Sequence, residues 1–262
     1  MTALLMYLSL GALAGLSAGL LGIGGGLIIV PALLLIWQQS GVDNPWLMQM
    51  AIATSLASIV FTSVASVRAH HRRGAVQWPQ VWQLTPGILL GAWLGAMQAS
   101  WLPGPWLKVG FGIFELLVAA QMALQLRPRP HRGLPGGPGM GAAGVVIGWV
   151  SALMGIGGGT LTVPFLSRCN VALQKAVATS AACGLPIALA GSFTYVLIGW
   201  NAEGLPPAAL GFVYLPALLG VVVASVMFAP LGARLAHNLS GPALKRVFAL
   251  FLALLGLWML LG

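Results

Sequence analysis

Two short glycine runs carry most of the chemical interest of this chain. Gly22-Ile23-Gly24-Gly25-Gly26, followed by Val30-Pro31, recurs 133 residues later as Gly155-Ile156-Gly157-Gly158-Gly159, followed by Val163-Pro164. Each glycine weakens a helix by about 1 kcal/mol, and a proline cannot donate the next backbone hydrogen bond. Gly22 with Pro31, and Gly155 with Pro164, are therefore expected to bracket a break or hinge. A helix restarting at Gly24, Gly25 and Gly26, and another at Gly157, Gly158 and Gly159, would aim free N–H groups and a positive dipole end at the break. Such an end is a ready anion site, and the missing side chains let an anion approach the backbone closely. Close helix packing is the competing explanation, as for Gly11, Gly15 and Gly19 or Gly91 and Gly95 at four-residue spacing.

Polar groups elsewhere in the apolar segments are few. Thr54-Ser55 is echoed by Thr179-Ser180 at an offset of 125, inside the longer match Gln49-Met50-Ala51-Ile52-Ala53 against Gln174-Lys175-Ala176-Val177-Ala178. Their hydroxyls can donate to a bound oxyanion or can simply let helices pack, and both readings stand. Gln49 and Gln174 read as helix-end amides or as gate residues. Glu115 is the one carboxylate deep in an apolar run, Phe111 to Ala123, with Leu252 at the matching place in the second copy. A membrane-buried acid suggests a proton relay, or a structural bond to a neighbouring hydroxyl or Trp.

Enzyme chemistry finds little support. Gly22 to Leu27 lacks the last glycine of a dinucleotide fingerprint, and no strand precedes it. The four histidines have no metal spacing, and no Ser, His and acid set suits catalysis. No cofactor and no metal are expected. Cys169 and Cys183 lack metal spacing and read as ordinary apolar thiols rather than a disulfide framework.

The elements that must hold these groups are set by composition. With 59% hydrophobic and 6% charged residues and a mean hydropathy of +0.96, the chain cannot make a water-soluble surface. Its apolar stretches are long enough to cross a hydrocarbon core about 30 Å thick. The net charge of +9 raises the question of nucleic acid, but the basic residues sit between the apolar blocks and away from the aromatic ones. Nucleic acid is accordingly not an expected partner, whereas the lipid bilayer and a small anion are. Met1 to Leu20 has no basic start and leads into the repeated motif, so it reads as part of the fold rather than as a cleaved leader.

The repeat divides the chain into residues 1–126, a basic Pro/Gly linker at 127–139, and residues 140–262. Gly104-Pro105-Trp106-Leu107-Lys108, echoed by Gly241-Pro242-Ala243-Leu244-Lys245, extends the match toward the end of each copy. Each copy opens on an apolar block broken at its glycines, at 4–37 and 140–167. Three spans follow in each, at 46–69, 80–101 and 106–126, then at 172–199, 208–236 and 241–261. The first block would reach about 50 Å as one straight helix, so it must turn back or tilt. If each block returns to its starting side, the loops 68–78, 127–139, 168–175 and 234–246 share one face and hold 11 of the 12 Lys and Arg residues. The opposite face then receives the loops with Asp43, Lys108 and Glu203. The positive-inside rule favours this arrangement. It predicts an all-α polytopic membrane protein made of two inverted repeats, each a glycine-broken re-entrant or hairpin segment plus three transmembrane helices, with both termini outside. Inverted repeats with discontinuous helices are the architecture of secondary transporters. An anion channel and a non-transporting assembly or sensing protein are the alternatives.

The chain also resembles the sulfite exporter TauE/SafE family of membrane proteins. The resemblance rests on Gly15-x-x-x-Gly19-x-x-Gly22-x-Gly24-Gly25-Gly26 with Val30-Pro31, on the second copy Gly155-x-Gly157-Gly158-Gly159 with Val163-Pro164, and on Ala53-Thr54-Ser55 and Ala178-Thr179-Ser180. It covers essentially the whole chain. What it implies is export of a small sulfur oxyanion or organosulfonate, such as sulfite or sulfoacetate, across the bacterial cytoplasmic membrane.

Overall fold

The computed structural model describes residues 2–21, 25–124, 133–236 and 241–262. Gly22, Ile23 and Gly24 thus lie outside the described residues, as does most of the basic linker. Among the described residues the chain forms helices α1 (Thr2–Leu21), α2 (Gly26–Gln39), α3 (Leu47–Arg72), α4 (Trp78–Trp101) and α5 (Gly104–Ala123). The second copy gives α6 (Gly137–Met154), α7 (Gly159–Arg168), α8 (Leu173–Gly199), α9 (Leu215–Ala236) and α10 (Gly241–Leu261). Both opening blocks are broken at their glycines, and three long helices follow each break.

Two boundaries differ from the sequence reading. The span expected from residue 208 begins at Leu215, because Ala209–Leu210 and Val213–Tyr214 pair first as a two-stranded hairpin. Ala208 and Gly211, at φ 69° and 54°, make the tight turns that stop a helix from starting sooner. Helix α6 begins at Gly137, inside the stretch read as linker. Pro138 occupies its first turn, where the absent N–H removes no intrahelical bond.

Six of the helices are long and apolar enough to cross a membrane: α1, α3, α5, α6, α8 and α9. Their outward side chains suit lipid. Leu13, Phe193, Leu219, Val223 and Leu250 are all more than half exposed, an arrangement that water would penalise and hydrocarbon does not. Trp82 near the start of α4, Trp101 at its end, Trp106 at the start of α5 and Trp200 just after α8 are also exposed. Tryptophans at helix ends are the usual anchors at a membrane interface.

Packing is arranged by exchange between the copies. Helix α1 packs on α9 and α4 on α6, while α3 packs on α8 and α5 on α10. Because α6, α8, α9 and α10 are the second-copy counterparts of α1, α3, α4 and α5, swapping the copies exchanges the α1–α9 and α4–α6 contacts and maps α3–α8 and α5–α10 each onto itself. An internal repeat explains this pattern. Directions follow from individual contacts. A methyl at Gly184 would lie 3.1 Å from Ser63 Oγ, and one at Gly191 would lie 2.8 Å from Leu56 Cδ1, so α3 and α8 run antiparallel. Gly87 lies on Gly141, Gly91 on Val145 and Gly95 on Trp149, so α4 and α6 run parallel. Gly11 on Val221 and Gly15 on Ser225 give the same sense for α1 and α9. In these contacts the glycine Cα faces backbone carbonyls of the partner helix, the close approach expected of glycines at four-residue spacing.

Candidate functional site

The start of α2 meets the second helix break in the buried interior. Gly155 ends α6 at φ +67°, a left-handed conformation that glycine adopts without steric cost, and Ile156 N–H closes the turn on the Ser151 carbonyl at 2.9 Å. Gly26, the first residue of α2, presses against this turn. A methyl there would lie 2.5 Å from the Gly155 carbonyl oxygen and 2.9 Å from Ile156 Cα. The start of the half-helix in the first copy therefore sits on the broken end of the second.

Both half-helices start without a side-chain cap, after Gly25 and after Gly158. Ile28 and Ile29 donate to the Gly25 carbonyl, and Thr162 donates to the Gly158 carbonyl at 2.8 Å. The N–H groups before them are the donors that any helix start leaves over. Pro31 and Pro164 lie inside α2 and α7 rather than at the break, and both helices run on past them. The prolines each free one carbonyl a turn earlier without ending either helix.

The Thr-Ser pairs are fully buried and already have partners. The Ser55 hydroxyl donates to the Gly155 carbonyl at 2.7 Å, satisfying the end of α6. Thr54 Oγ1 accepts from Tyr214 N–H at 3.0 Å, and Thr179 Oγ1 accepts from Gln77 N–H, also at 3.0 Å. Tyr214 and Gln77 immediately precede α9 and α4, so each threonine fastens the entry to a helix of the other copy. Each hydroxyl keeps its own hydrogen for a further acceptor. Ser180 donates to Val177 in its own helix at 3.1 Å. Gln49 ties to the carbonyls of Ala99 and Leu102 at the end of α4, whereas Gln174 is exposed, so the matched amides do different work.

Three hydroxyls that the sequence reading did not single out flank the second break. Ser151, Thr160 and Thr162 are buried, and their oxygens have no hydrogen-bond partner among the described residues. Such groups lose about 1–3 kcal/mol each relative to solvation unless something satisfies them. In the first copy, 133 residues earlier, the same places hold Ala18, Leu27 and Ile29. Comparing the copies position by position would have exposed them, since they are polar departures from an apolar match.

Glu115 is fully buried on α5, and neither carboxyl oxygen has a partner among the described residues. Helix α5 packs chiefly on α10, with smaller contacts on α3 and α6. Cys169 and Cys183 are both free and buried. No cluster of three or more His, Cys, Asp or Glu side chains suited to a metal occurs among the described residues.

The loops bearing Asp43 and Glu203 are tied to each other. Asn44 Nδ2 donates to the Gly204 carbonyl at 2.6 Å, and Trp46 Nε1 donates to the Glu203 carbonyl at 3.3 Å. Beneath them Trp37 Nε1 donates to the Tyr7 hydroxyl at 2.9 Å, and both rings pack edge-on against Tyr214. Helix α2 is almost entirely buried. Helix α7, its counterpart, is buried on one side only and ends at the exposed Arg168.

Comparison with known proteins agrees with this architecture. Residues 7–259 match the family described as sulfite exporter TauE/SafE. A probable membrane transporter protein of Haemophilus influenzae is 35% identical over 99% of both chains. Another, of Methanocaldococcus jannaschii, is 27% identical over 98% of this chain and 95% of its own. The probable membrane transporter protein YunE of Bacillus subtilis is 30% identical over 72% of this chain and 77% of its own. No solved structure matches. A family match across nearly the whole chain, joined to a relative alike from end to end, establishes that the chain belongs to the TauE/SafE family of membrane transporters and is not an enzyme.

Proposed function

We propose that the protein is a secondary transporter that exports a small sulfur-containing anion, such as sulfite, sulfoacetate or a related organosulfonate, across the bacterial cytoplasmic membrane by alternating access. The observation that carries this reading is the seating of the uncapped start of α2 on the broken end of α6, Gly26 on Gly155 and Ile156, beside the equally uncapped start of α7. Backbone left open at membrane depth needs protein, water or a ligand to satisfy it, and N–H groups at a helix start suit an anion. Neither glycine run, through Pro31 or Pro164, carries a Lys or Arg, so binding relies on partial charges and stays weak enough for release. The description of the matching family as sulfite exporters supports the substrate class.

The inverted arrangement is supported by helix directions. Helix α3 lies antiparallel to its own counterpart α8, and a two-fold axis that does this is perpendicular to both. For helices that span a bilayer, that axis lies in the membrane plane, as in transporters with inverted repeats. The four basic loops then face the cytoplasm, both termini face outside, and the Asp43 and Glu203 side is the outer one. An inside-negative potential drives a monoanion outward by about 2.3 kcal/mol per 100 mV. Within this reading Gly24, Gly25, Gly26, Gly157, Gly158 and Gly159 bring the anion to backbone. Thr54, Ser55, Thr179 and Ser180 hold the breaks in place and lend hydroxyls, and Glu115 is the candidate for proton coupling.

Purified protein in proteoliposomes, given labelled sulfite and sulfoacetate under an imposed potential, tests the reading. Saturable flux that follows the potential is expected. Absence of flux of both compounds, in protein shown to be folded, overturns it.

A further inference from the structure

Around the second break sits a group of hydrogen-bond donors, two from the second copy and Ser63 from α3 of the first, for which the surroundings of the first break offer hydrocarbon. Around the contact between Gly158, at the start of α7, and Gly184, in the middle of α8, three donors come together. A methyl at Gly158 would lie 3.4 Å from Thr162 Oγ1, and one at Gly184 would lie 3.1 Å from Ser63 Oγ and 3.5 Å from Gly158 N. The Thr162 side chain is fully buried and its hydroxyl has no partner among the described residues. Ser63 is buried as well, nine residues before the end of α3 at Arg72, which places it about 13 Å inside the basic face at 1.5 Å per residue.

The counterparts in the first copy are Gly25, Ile29 and Ile59. There a methyl at Gly25 would meet Ile29 Cδ1 at 3.0 Å and Ala14 Cβ at 3.1 Å, an apolar contact throughout. Ile29 thus stands where Thr162 does, and Ile59 where Gly184 does. The starts of α2 and α7 are both uncapped and differ in what surrounds them.

Resting on the anion-transport reading above, we propose that the protein has one anion site rather than a symmetric pair, and that it lies at the second break, where the Gly158 N–H and the Thr162 hydroxyl of the second copy and the Ser63 hydroxyl of the first hold the oxygens of a sulfite or sulfonate group beside Gly184. The gap between these donors is about a methyl wide, so the anion is admitted as α7 draws away from α8. Helix α7 is free to do so because its other side is partly exposed. The Gly158 to Gly184 contact has no interlocking side chains to resist the movement. The corresponding half-helix of the first copy, packed with isoleucine, serves as a dry wall.

The test combines transport with melting. In the absence of anion, Thr162→Val removes a hydroxyl that bonds to nothing, so the melting temperature stays the same or rises. With the anion that the wild type carries, whether sulfite or sulfoacetate, the same variant should raise KM about tenfold or more, the loss expected when a charged acceptor is deprived of one donor. It should also lose the rise in melting temperature that the anion gives the wild type. Ser63→Ala should act in the same direction. Thr85→Val, whose hydroxyl bonds the Val81 carbonyl of its own helix at 2.8 Å, is the control and should leave KM unchanged. A KM within twofold of wild type for both Thr162→Val and Ser63→Ala, in a wild type that does transport, overturns this assignment alone. A wild type that carries neither anion fails at the earlier step and removes the transport reading with it.

Discussion

At the scale of single residues, the polar groups of this membrane protein divide by whether the fold already uses them. Ser55 satisfies the broken end of α6, and Thr54 and Thr179 secure helix entries across the repeat boundary, so these hydroxyls hold the frame whatever else they touch. Glu115 is of the other kind, a dry carboxyl with no partner among the described residues. A group that costs stability and gains no bond is a candidate for work beyond packing. If it couples protons, Glu115→Gln will fold and melt no lower than wild type. It will also lose the part of sulfite flux that an imposed pH gradient accelerates, and keep the part driven by potential. Equal pH-gradient responses in wild type and variant would make Glu115 structural. The sequence made Glu115 and the Thr-Ser pairs visible through rarity and repetition. It hid Thr162 and Ser63, because a threonine in a short helix and a serine 99 residues earlier become neighbours only when α3, α7 and α8 pack together.

Among elements, the close glycine contacts decide how the copies interlock. Gly87, Gly91 and Gly95 present no side chain to α6, and a methyl at any of them would fall within contact range of a backbone carbonyl of Gly141, Val145 or Trp149. Backbone cannot yield as a flexible side chain can. Gly91→Leu is therefore expected to prevent assembly of α4 on α6, read as loss of the monodisperse peak in detergent and of the cooperative melt. Gly41→Leu, in a loop with open space around it, should cost only the strain of its left-handed backbone, of order 1 kcal/mol. Retention of normal melting by Gly91→Leu would contradict the packing described. These long elements were legible in the sequence because lipid imposes length and apolarity on every span, and because the repeat gives each boundary twice. The hairpin before α9 was not legible. Its residues, Ala209 to Tyr214, are as apolar as a span, and the turn that sets them apart depends on backbone angles at Ala208 and Gly211.

Across the whole molecule, the antiparallel seating of α3 on α8 and the placement of the basic residues expected from the positive-inside rule are two independent arguments for the proposed topology. One comes from packing geometry and the other from charge. They agree only if the second opening block, α6 with α7, returns to the side from which it began, and the parallel seating of α1 on α9 requires the same of α1 with α2. A full crossing by α6 with α7 would reverse every later helix of the second copy, place the basic loops of the two copies on opposite faces, and set α3 parallel to α8. The topology can be measured directly in whole cells. With Cys169 and Cys183 replaced, a single cysteine at the exposed Glu203 should react with a membrane-impermeant maleimide added outside. A single cysteine at the exposed Arg73 should react only after the membrane is made permeable, and one at Arg168 should behave like Arg73. The comparison of Arg73 with Arg168 is the decisive one, since the first belongs to one copy and the second to the other. Opposite labelling of these two positions would mean parallel repeats. The axis would then run through the membrane rather than along it, and the exchange of inner for outer access by swapping copies would have no structural basis.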